Sequence, residues 1–165
     1  MSRAFVKEPD GDQVGDDQPE WPISSQTNFV TATGWQQLQD KRTVILAKQE
    51  QLNADKTLMA NKTALAQVGR ELRYYTARIA SAQIVQVPAD KSLVKIGASV
   101  TVIDEQDINH QFTIVGEDEA EIKLGKISWI SPLATALLDR ELDDVVTWRR
   151  PIGDVEVEIS KIEYL

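Results

Sequence analysis

The chain of 165 residues contains no cysteine and one histidine, His110. The lack of cysteine excludes disulfides and cysteine-ligated metals, and a zinc site or a serine–histidine relay would depend on His110 alone. No stretch of eighteen apolar residues is present, and the N-terminus has no apolar signal core. We therefore expect a cytoplasmic protein without a membrane partner.

Motifs that bind phosphate or activate a nucleophile are also missing. The sequence has neither a glycine loop that would cradle a phosphate nor a nucleophile elbow. We therefore expect no catalytic machinery in the chain itself, no stably bound cofactor and no resident metal.

Charge divides the chain into three segments, which we predict to be three structural units. Residues 1–27 carry a net charge of −4, residues 28–85 a net charge of +4 and residues 86–165 a net charge of −8. The first segment has prolines, glycines and acids without an apolar period, which indicates a flexible tail whose end Trp21 and Ile23 are suited to anchor. The second is predicted to be a coiled-coil hairpin, and the third a globular domain.

The hairpin is predicted from two series of residues that alternate three and four positions apart, the pattern of a coiled-coil seam. The first helix is expected to begin near Thr31 or Thr33, which are good N-caps. The series are Trp35, Leu38, Arg42, Ile45, Gln49 and Leu52, then Leu58, Asn61 (or Lys62), Leu65, Val68, Leu72, Tyr75, Ile79 and Ala82.

The bend of this hairpin is predicted close to Asp55. Facing residues of an antiparallel pair have a constant sum of residue numbers, and the two series meet this condition around position 55. Asn53, Ala54 and Lys56 would complete the bend, and each arm would be about 30 Å long. Asp55 is then either a turn residue that caps the second helix, or a carboxylate held ~30 Å from the body for a function.

The third segment has the period of two that is typical of strands, after a linker over 86–95. A short helix is predicted after Ser131 as N-cap, with Pro132 as its first residue. The whole chain is therefore predicted to be α+β, with a mostly antiparallel sheet. The predicted strands are Ser99–Asp104, Gln111–Val115, Glu121–Leu124, Val145–Arg149 and Val155–Ile162.

Several charged residues suggest sites, but each also has a simpler interpretation. Acids cluster around 117–121 and 139–144, and although magnesium prefers such oxygens, solvated surface is the favoured interpretation. His110 is predicted to be an exposed turn residue in a hairpin loop over 107–110. A basic face on the hairpin would suit phosphates, an acidic channel or plain solvent, and the acidic tail would suit screening that face. The basic residues are Lys41, Lys48, Lys62, Arg70 and Arg73.

Specific motifs resemble the Gre family of bacterial transcription elongation factors. The stretch IVGEDEAEIKLGKISWISPLATALLDRELDDVV (Ile114–Val146), followed by GDVEVEISKIEYL (Gly153–Leu165), is similar to the C-terminal domain of that family. NFVTATGWQQLQ resembles the opening of its first helix, and LRYYTARIASAQIV the end of its second. The likeness extends over 28–165.

This resemblance implies a coiled-coil hairpin joined to a globular domain of FKBP-like fold. It implies binding to RNA polymerase at the rim of the secondary channel, with contacts to RNA or DNA inside the elongation complex. In the family, two acids at the hairpin tip help to hold magnesium while polymerase hydrolyses backtracked RNA. The docking residues would be Ile130, Ser131, Pro132, Leu133 and Ala134.

The chain departs from the family pattern in three places, and the first two departures argue against cleavage. The third residue after Asp55 is Leu58, where an acid is expected, and the hairpin is about seven residues shorter per arm, roughly 10 Å less reach. Ile130 replaces a small polar residue, and Asp139 replaces a frequent glycine. The sequence thus favours a polymerase-binding regulator with weak or no stimulation of cleavage.

Two alternatives stay open. One is an active cleavage factor that uses Asp55 and the magnesium of the polymerase active centre. The other is a peptide-binding module, because the FKBP-like fold is shared with prolyl isomerases and Trp129 and Trp148 are available to line a pocket.

Overall fold

A computed structural model describes residues 18–54 and 60–164. Two long helices form the N-terminal half and a five-stranded sheet forms the C-terminal half, so the predicted α+β fold class is confirmed. The predicted domain boundaries, after 27 and after 85, stay predictions. Among the described residues, no helix is both long and apolar enough to cross a bilayer.

The helical half begins with the short strand β1 (Phe29–Val30) and continues into α1 (Ala32–Ala54). The chain returns through α2 (Ala60–Ser81) to β2 (Gln83–Ile84), which pairs with β1. At 1.5 Å per residue, the 23 residues of α1 and the 22 of α2 give arms of about 33–35 Å. The side-chain amide of Asn61 donates to the Leu52 carbonyl oxygen at 3.4 Å. This hydrogen bond joins the end of α1 to the start of α2.

The coiled-coil seam agrees with the sequence pattern in most places. Leu38, Ile45 and Val68 are buried as predicted, whereas Arg42 is exposed and does not belong to the seam. Asn53 and Ala54 lie in the last turn of α1 rather than in a bend. The predicted centre of the bend, Asp55, lies outside the described residues.

The sheet half contains β3 (Ala98–Asp104), β4 (Asn109–Val115), β5 (Lys126–Ser128), β6 (Val145–Trp148) and β7 (Val155–Tyr164), with α3 (Pro132–Leu137) between β5 and β6. The strand order is β5-β4-β3-β7-β6; within this sheet, as described by the structure, the β4–β5 pair is parallel and the other three pairs are antiparallel. The core is formed by apolar side chains of β3, β4 and β7 with Leu133, Ala134 and Leu137 of α3.

The predicted strand over Glu121–Leu124 is wrong. Ile122–Leu124 forms a single 3-10 turn, and the strand follows it as β5. Ile122 and Leu124 are both exposed, so their alternation with charged residues does not mark a buried face.

Candidate functional site

The acidic triplet, Glu117–Glu119, lies where the helical hairpin meets the sheet. It forms a 3-10 turn directly after β4. The side chains of Glu117, Asp118 and Glu119 are 21%, 11% and 5% exposed, so the prediction of solvated surface is wrong for them. Burying carboxylates is costly unless they are paired, and their partners come from the hairpin and from β5.

Arg78 of α2 is the main partner of Asp118. Its side chain is 2% exposed, and its Nε donates to Asp118 Oδ2 at 2.5 Å. The Tyr74 hydroxyl, one turn earlier, donates to Asp118 Oδ1 at 2.6 Å. Burial, and then this hydrogen bond to a carboxylate, raise the pKa of Tyr74. Both oxygens of Asp118 are thus satisfied by α2.

Glu119 connects the start of α1 to β5. The Thr31 hydroxyl donates to Glu119 Oε2 at 2.6 Å and accepts from the Gly34 amide at 2.9 Å, so Thr31, one of the two candidates from the sequence, is the N-cap. Lys126 Nζ lies 3.6 Å from Glu119 Oε1. A Cβ on Gly34 would lie 2.4 Å from Glu119 Oε2, so only glycine leaves room for this carboxylate.

Further contacts complete the joint between the base of the hairpin and the sheet, to which the acidic triplet belongs. Phe29 of β1 packs edge-on against Trp129, with ring centroids 5.2 Å apart. Asn28 Nδ2 donates to the Arg78 carbonyl oxygen at 2.7 Å. The Asn28 contact holds the start of the hairpin to the end of α2, while the Phe29–Trp129 contact and the acidic triplet attach the base of the hairpin to the sheet.

The predicted docking segment follows β5 on the same part of the sheet. The Ser131 hydroxyl accepts from the Ala134 amide at 3.3 Å, and Pro132 is the first residue of α3, as predicted. Ile130 is 41% exposed and Pro132 is exposed, whereas Leu133 and Ala134 are buried in the core. A docking partner can therefore reach Ile130, Ser131 and Pro132, while Leu133 and Ala134 hold α3 in place.

A shallow groove beside Pro132 extends the accessible surface of this segment. Thr135 of α3 and Val145 of β6 line it, and Arg140 and Arg149 add positive charge. The groove is therefore suited to a partner surface that combines apolar and acidic groups.

The predicted basic face of the hairpin divides into two parts. Lys41, Lys48 and Lys62 have exposed side chains, and Lys41 Nζ lies 5.6 Å from the centre of the Tyr75 ring. Arg70 and Arg73 instead contact the N-terminal segment, and Arg70 is 5% exposed.

His110 is not the exposed turn residue that the sequence predicted. It lies in β4, where its Nε2 is 2.9 Å from Asp104 Oδ2 and its ring contacts those of Phe112 and Trp148. The hydrogen bond with His110 lowers the pKa of Asp104. Trp148 thus belongs to a different aromatic group from Trp129, which contacts Phe29.

The second acidic cluster lies on exposed turns, as the sequence suggested. Asp139 and Asp143 have φ values of 64° and 68°, and Asp144 Oδ2 accepts from the Glu141 amide at 2.9 Å. Aspartate tolerates this left-handed conformation better than most residues, so Asp139 and Asp143 fit these turns. Among the described residues, no group of three acids or histidines is arranged to hold a metal ion.

Comparison with known proteins connects these features to one family. Residues 89–164 match the family model "Transcription elongation factor, GreA/GreB, C-term". Transcription elongation factor GreA of Legionella pneumophila (strain Corby) is 42% identical over 92 residues, which cover 54% of this chain and 58% of that protein. The match therefore spans little more than half of that relative's length.

Longer matches include the hairpin. Transcription elongation factor GreB of Neisseria meningitidis serogroup B is 29% identical over 160 residues, 87% of this chain and 98% of that protein. The crystal structure of GreA factor homolog 1 (Gfh1) of Thermus thermophilus aligns with 84% of this chain and 99% of its own, at 19% identity and a TM-score of 0.41.

The fold, with its joint between hairpin and sheet, defines a class of protein. In this class, a helical hairpin projects from a small, mostly antiparallel sheet domain. Within that class, the C-terminal part of the chain, residues 89–164, matches the C-terminal domain of the GreA/GreB transcription elongation factors, and most of the chain is similar to a GreB protein. The resemblance inferred from the sequence motifs is confirmed.

Proposed function

We propose that the protein binds bacterial RNA polymerase at the secondary channel and regulates it with weak or no stimulation of transcript cleavage. Ile130, Ser131 and Pro132 dock on the rim of the channel, and the hairpin extends into it. The chain acts as a cofactor of polymerase rather than as an enzyme.

The joint between the acidic triplet and α2 is the observation that best supports this proposal. Arg78 is 2% exposed and bonded to Asp118, and Asp118 lies in the turn after β4. The docking segment follows β5, which pairs with β4, so few flexible bonds separate it from the base of the hairpin. When the docking segment binds polymerase, the sheet therefore fixes the direction in which the helical hairpin extends.

The sequence of the predicted tip lacks the acidic pair that the family resemblance leads one to expect. A hard cation needs several oxygen ligands, and Asp55 is followed by Lys56, Thr57 and Leu58 rather than by a second acid. Because the arms are shorter, the tip would reach roughly 10 Å less far towards the polymerase active centre. Misplacing a catalytic group by ~1 Å can already lower the rate about a hundredfold. Occupation of the channel, without metal-assisted hydrolysis, is the mode of action that remains.

The exposed lysines extend this proposal to the elongation complex. Lys41 and Lys48 lie on α1 and Lys62 on α2, all with exposed side chains. Cations at these positions attract the acidic lining of a channel or the phosphates of RNA or DNA, and their effect weakens as salt rises.

Replacing Pro132 tests the docking assignment. Pro132→Ala should weaken binding to core RNA polymerase on the order of tenfold, because residues that anchor the centre of an interface account for most of its affinity. Affinity can be measured by titrating labelled protein with polymerase.

Pro151→Ala is the matched control, because it changes another exposed proline, in the turn between β6 and β7. Its affinity should equal that of the parent. Equal affinities for the Pro132 and Pro151 variants would show that the docking surface lies elsewhere.

A further inference from the structure

The end of the N-terminal segment lies across the middle of α2. Gln18 Oε1 accepts from Arg70 Nη2 at 2.7 Å, and the Glu20 carboxylate pairs with the Arg73 guanidinium. Arg70 and Arg73 precede the end of α2 by about 16 and 12 Å at 1.5 Å per residue. The segment thus contacts the hairpin near mid-length rather than at its base.

Trp21 attaches this segment to the helices. Its ring packs edge-on against Tyr74 and Tyr75, with centroid distances of 5.5 and 6.4 Å, and borders a groove that Val44 and Ile45 also line. Aromatic pairs in this geometry contribute beyond the area that they bury. These ring contacts confirm Trp21, which is 40% exposed, as an anchor that the sequence predicted; Ile23 is 51% exposed.

We propose that Gln18–Trp21 is an autoinhibitory strap that must leave α2 before the hairpin can enter a narrow, acid-lined channel. The strap binds two of the five cations of the basic face, Arg70 and Arg73, and makes the hairpin thicker at mid-length. This inference rests on the proposed function, since polymerase is the partner whose access the strap limits.

Charge and exposure indicate that the strap opens readily. Arg73 and Glu20 are each 61% exposed, and such pairs are weak and screened by salt. The Arg73 hydrogen bond lowers the pKa of Glu20, so the pair keeps its charges at neutral pH. A partner with negative charge can compete for the same two arginines.

The cost of opening should appear as a loss of apparent affinity. If only the open form binds, the apparent dissociation constant rises in inverse proportion to the open fraction. An open fraction of about one tenth weakens binding about tenfold. Salt weakens the attraction between the hairpin and polymerase, but it also opens the strap. As salt rises, the intact protein should therefore lose less affinity than a protein without the strap contact.

Spin labels can measure the position of the strap in the full chain without polymerase. The absence of cysteine allows unique labels at Pro19→Cys and Thr63→Cys, both exposed positions. We expect one narrow distance distribution in the parent and a broad one after Glu20→Gln with Trp21→Ala. Ile23→Ala, a change in an exposed residue of the same segment, should leave the distribution narrow.

Polymerase binding is then compared between unlabelled parent and variants. The Glu20→Gln/Trp21→Ala protein should bind about tenfold more tightly than the parent at low salt, and the difference should shrink as salt rises. Unchanged or weaker binding by that variant, or an unchanged distance distribution, would overturn the strap. If no variant binds polymerase, the proposed function fails first, and the spin labels still report separately whether the segment opens.

Discussion

Replacing Arg78 with alanine is expected to lower the free energy of unfolding by about 3–5 kcal/mol, the usual cost of breaking a buried ion pair from one side. The change removes the cation that pairs with Asp118, a carboxylate that is 11% exposed in the intact protein, and leaves it the hydrogen bond from the Tyr74 hydroxyl. Since small domains are stable by about 5–15 kcal/mol, the loss is a large part of the total. Urea unfolding followed by circular dichroism measures it.

Arg73→Ala is the control, because it removes the same side chain from the same helix where that side chain is 61% exposed. The expected loss there is at most about 1 kcal/mol. Arg78→Leu combined with Asp118→Leu should lose less than the two single changes together, because neither member of this pair is then left as a buried charge without the other. Similar losses for Arg78→Ala and Arg73→Ala would mean that the acidic triplet does not hold the hairpin to the sheet.

Gly116→Ala is expected to lower the free energy of unfolding by about 2–3 kcal/mol through overpacking. Gly116 has a φ of −65°, which any residue can adopt, so the cost comes from space rather than from torsion. An added Cβ would lie 2.4 Å from the Phe29 carbonyl oxygen and 3.3 Å from the Val30 Cα. These are backbone atoms of β1, so the base of the hairpin would have to move away from the sheet.

Gly69→Ala provides a control of opposite sign within α2. A Cβ added at Gly69 would lie 3.4 Å from Arg73 Nη1, an ordinary contact. In a helix interior, alanine is more stable than glycine by about 0.5–1 kcal/mol. Thermal or urea unfolding should therefore show Gly69→Ala stabilised and Gly116→Ala destabilised. A Gly116→Ala protein as stable as the parent would contradict the close packing of β1 on the sheet.

Local signals predicted much of this fold. Ser131 followed by Pro132 gave the start of α3, and Thr31 gave the start of α1, because capping depends on residues within one turn. The three-four alternation located the buried positions Leu38, Ile45 and Val68. Arg42 fits the same spacing but is exposed, because spacing alone does not distinguish a seam residue from its neighbour on the surface.

The acidic triplet was missed because its role depends on distant partners. Arg78 lies forty positions before Asp118 in the chain, and Thr31 lies eighty-eight before Glu119. A run of three acids usually marks solvent, and nothing within the run shows that cations and hydroxyls will cover it. The available signal was an arginine and a tyrosine one turn apart, Tyr74 and Arg78, on the basic hairpin.

His110 was placed wrongly for a related reason. The preceding Asp107 has a φ of 60° and makes a tight turn, so β4 begins at Asn109, earlier than the loop composition suggested. Asp104, on the other side of that turn, is then within hydrogen-bonding distance of the His110 ring.

Backtracked elongation complexes test the central claim most directly. The protein is added to stalled complexes of bacterial RNA polymerase, alone and together with a cleavage-active Gre factor, and the 3′-terminal RNA products are resolved. We expect background cleavage with the protein alone, the same for Asp55→Ala, and slower cleavage when it competes with the active factor. Cleavage by the protein alone that is lost in Asp55→Ala would contradict the account and identify an active cleavage factor.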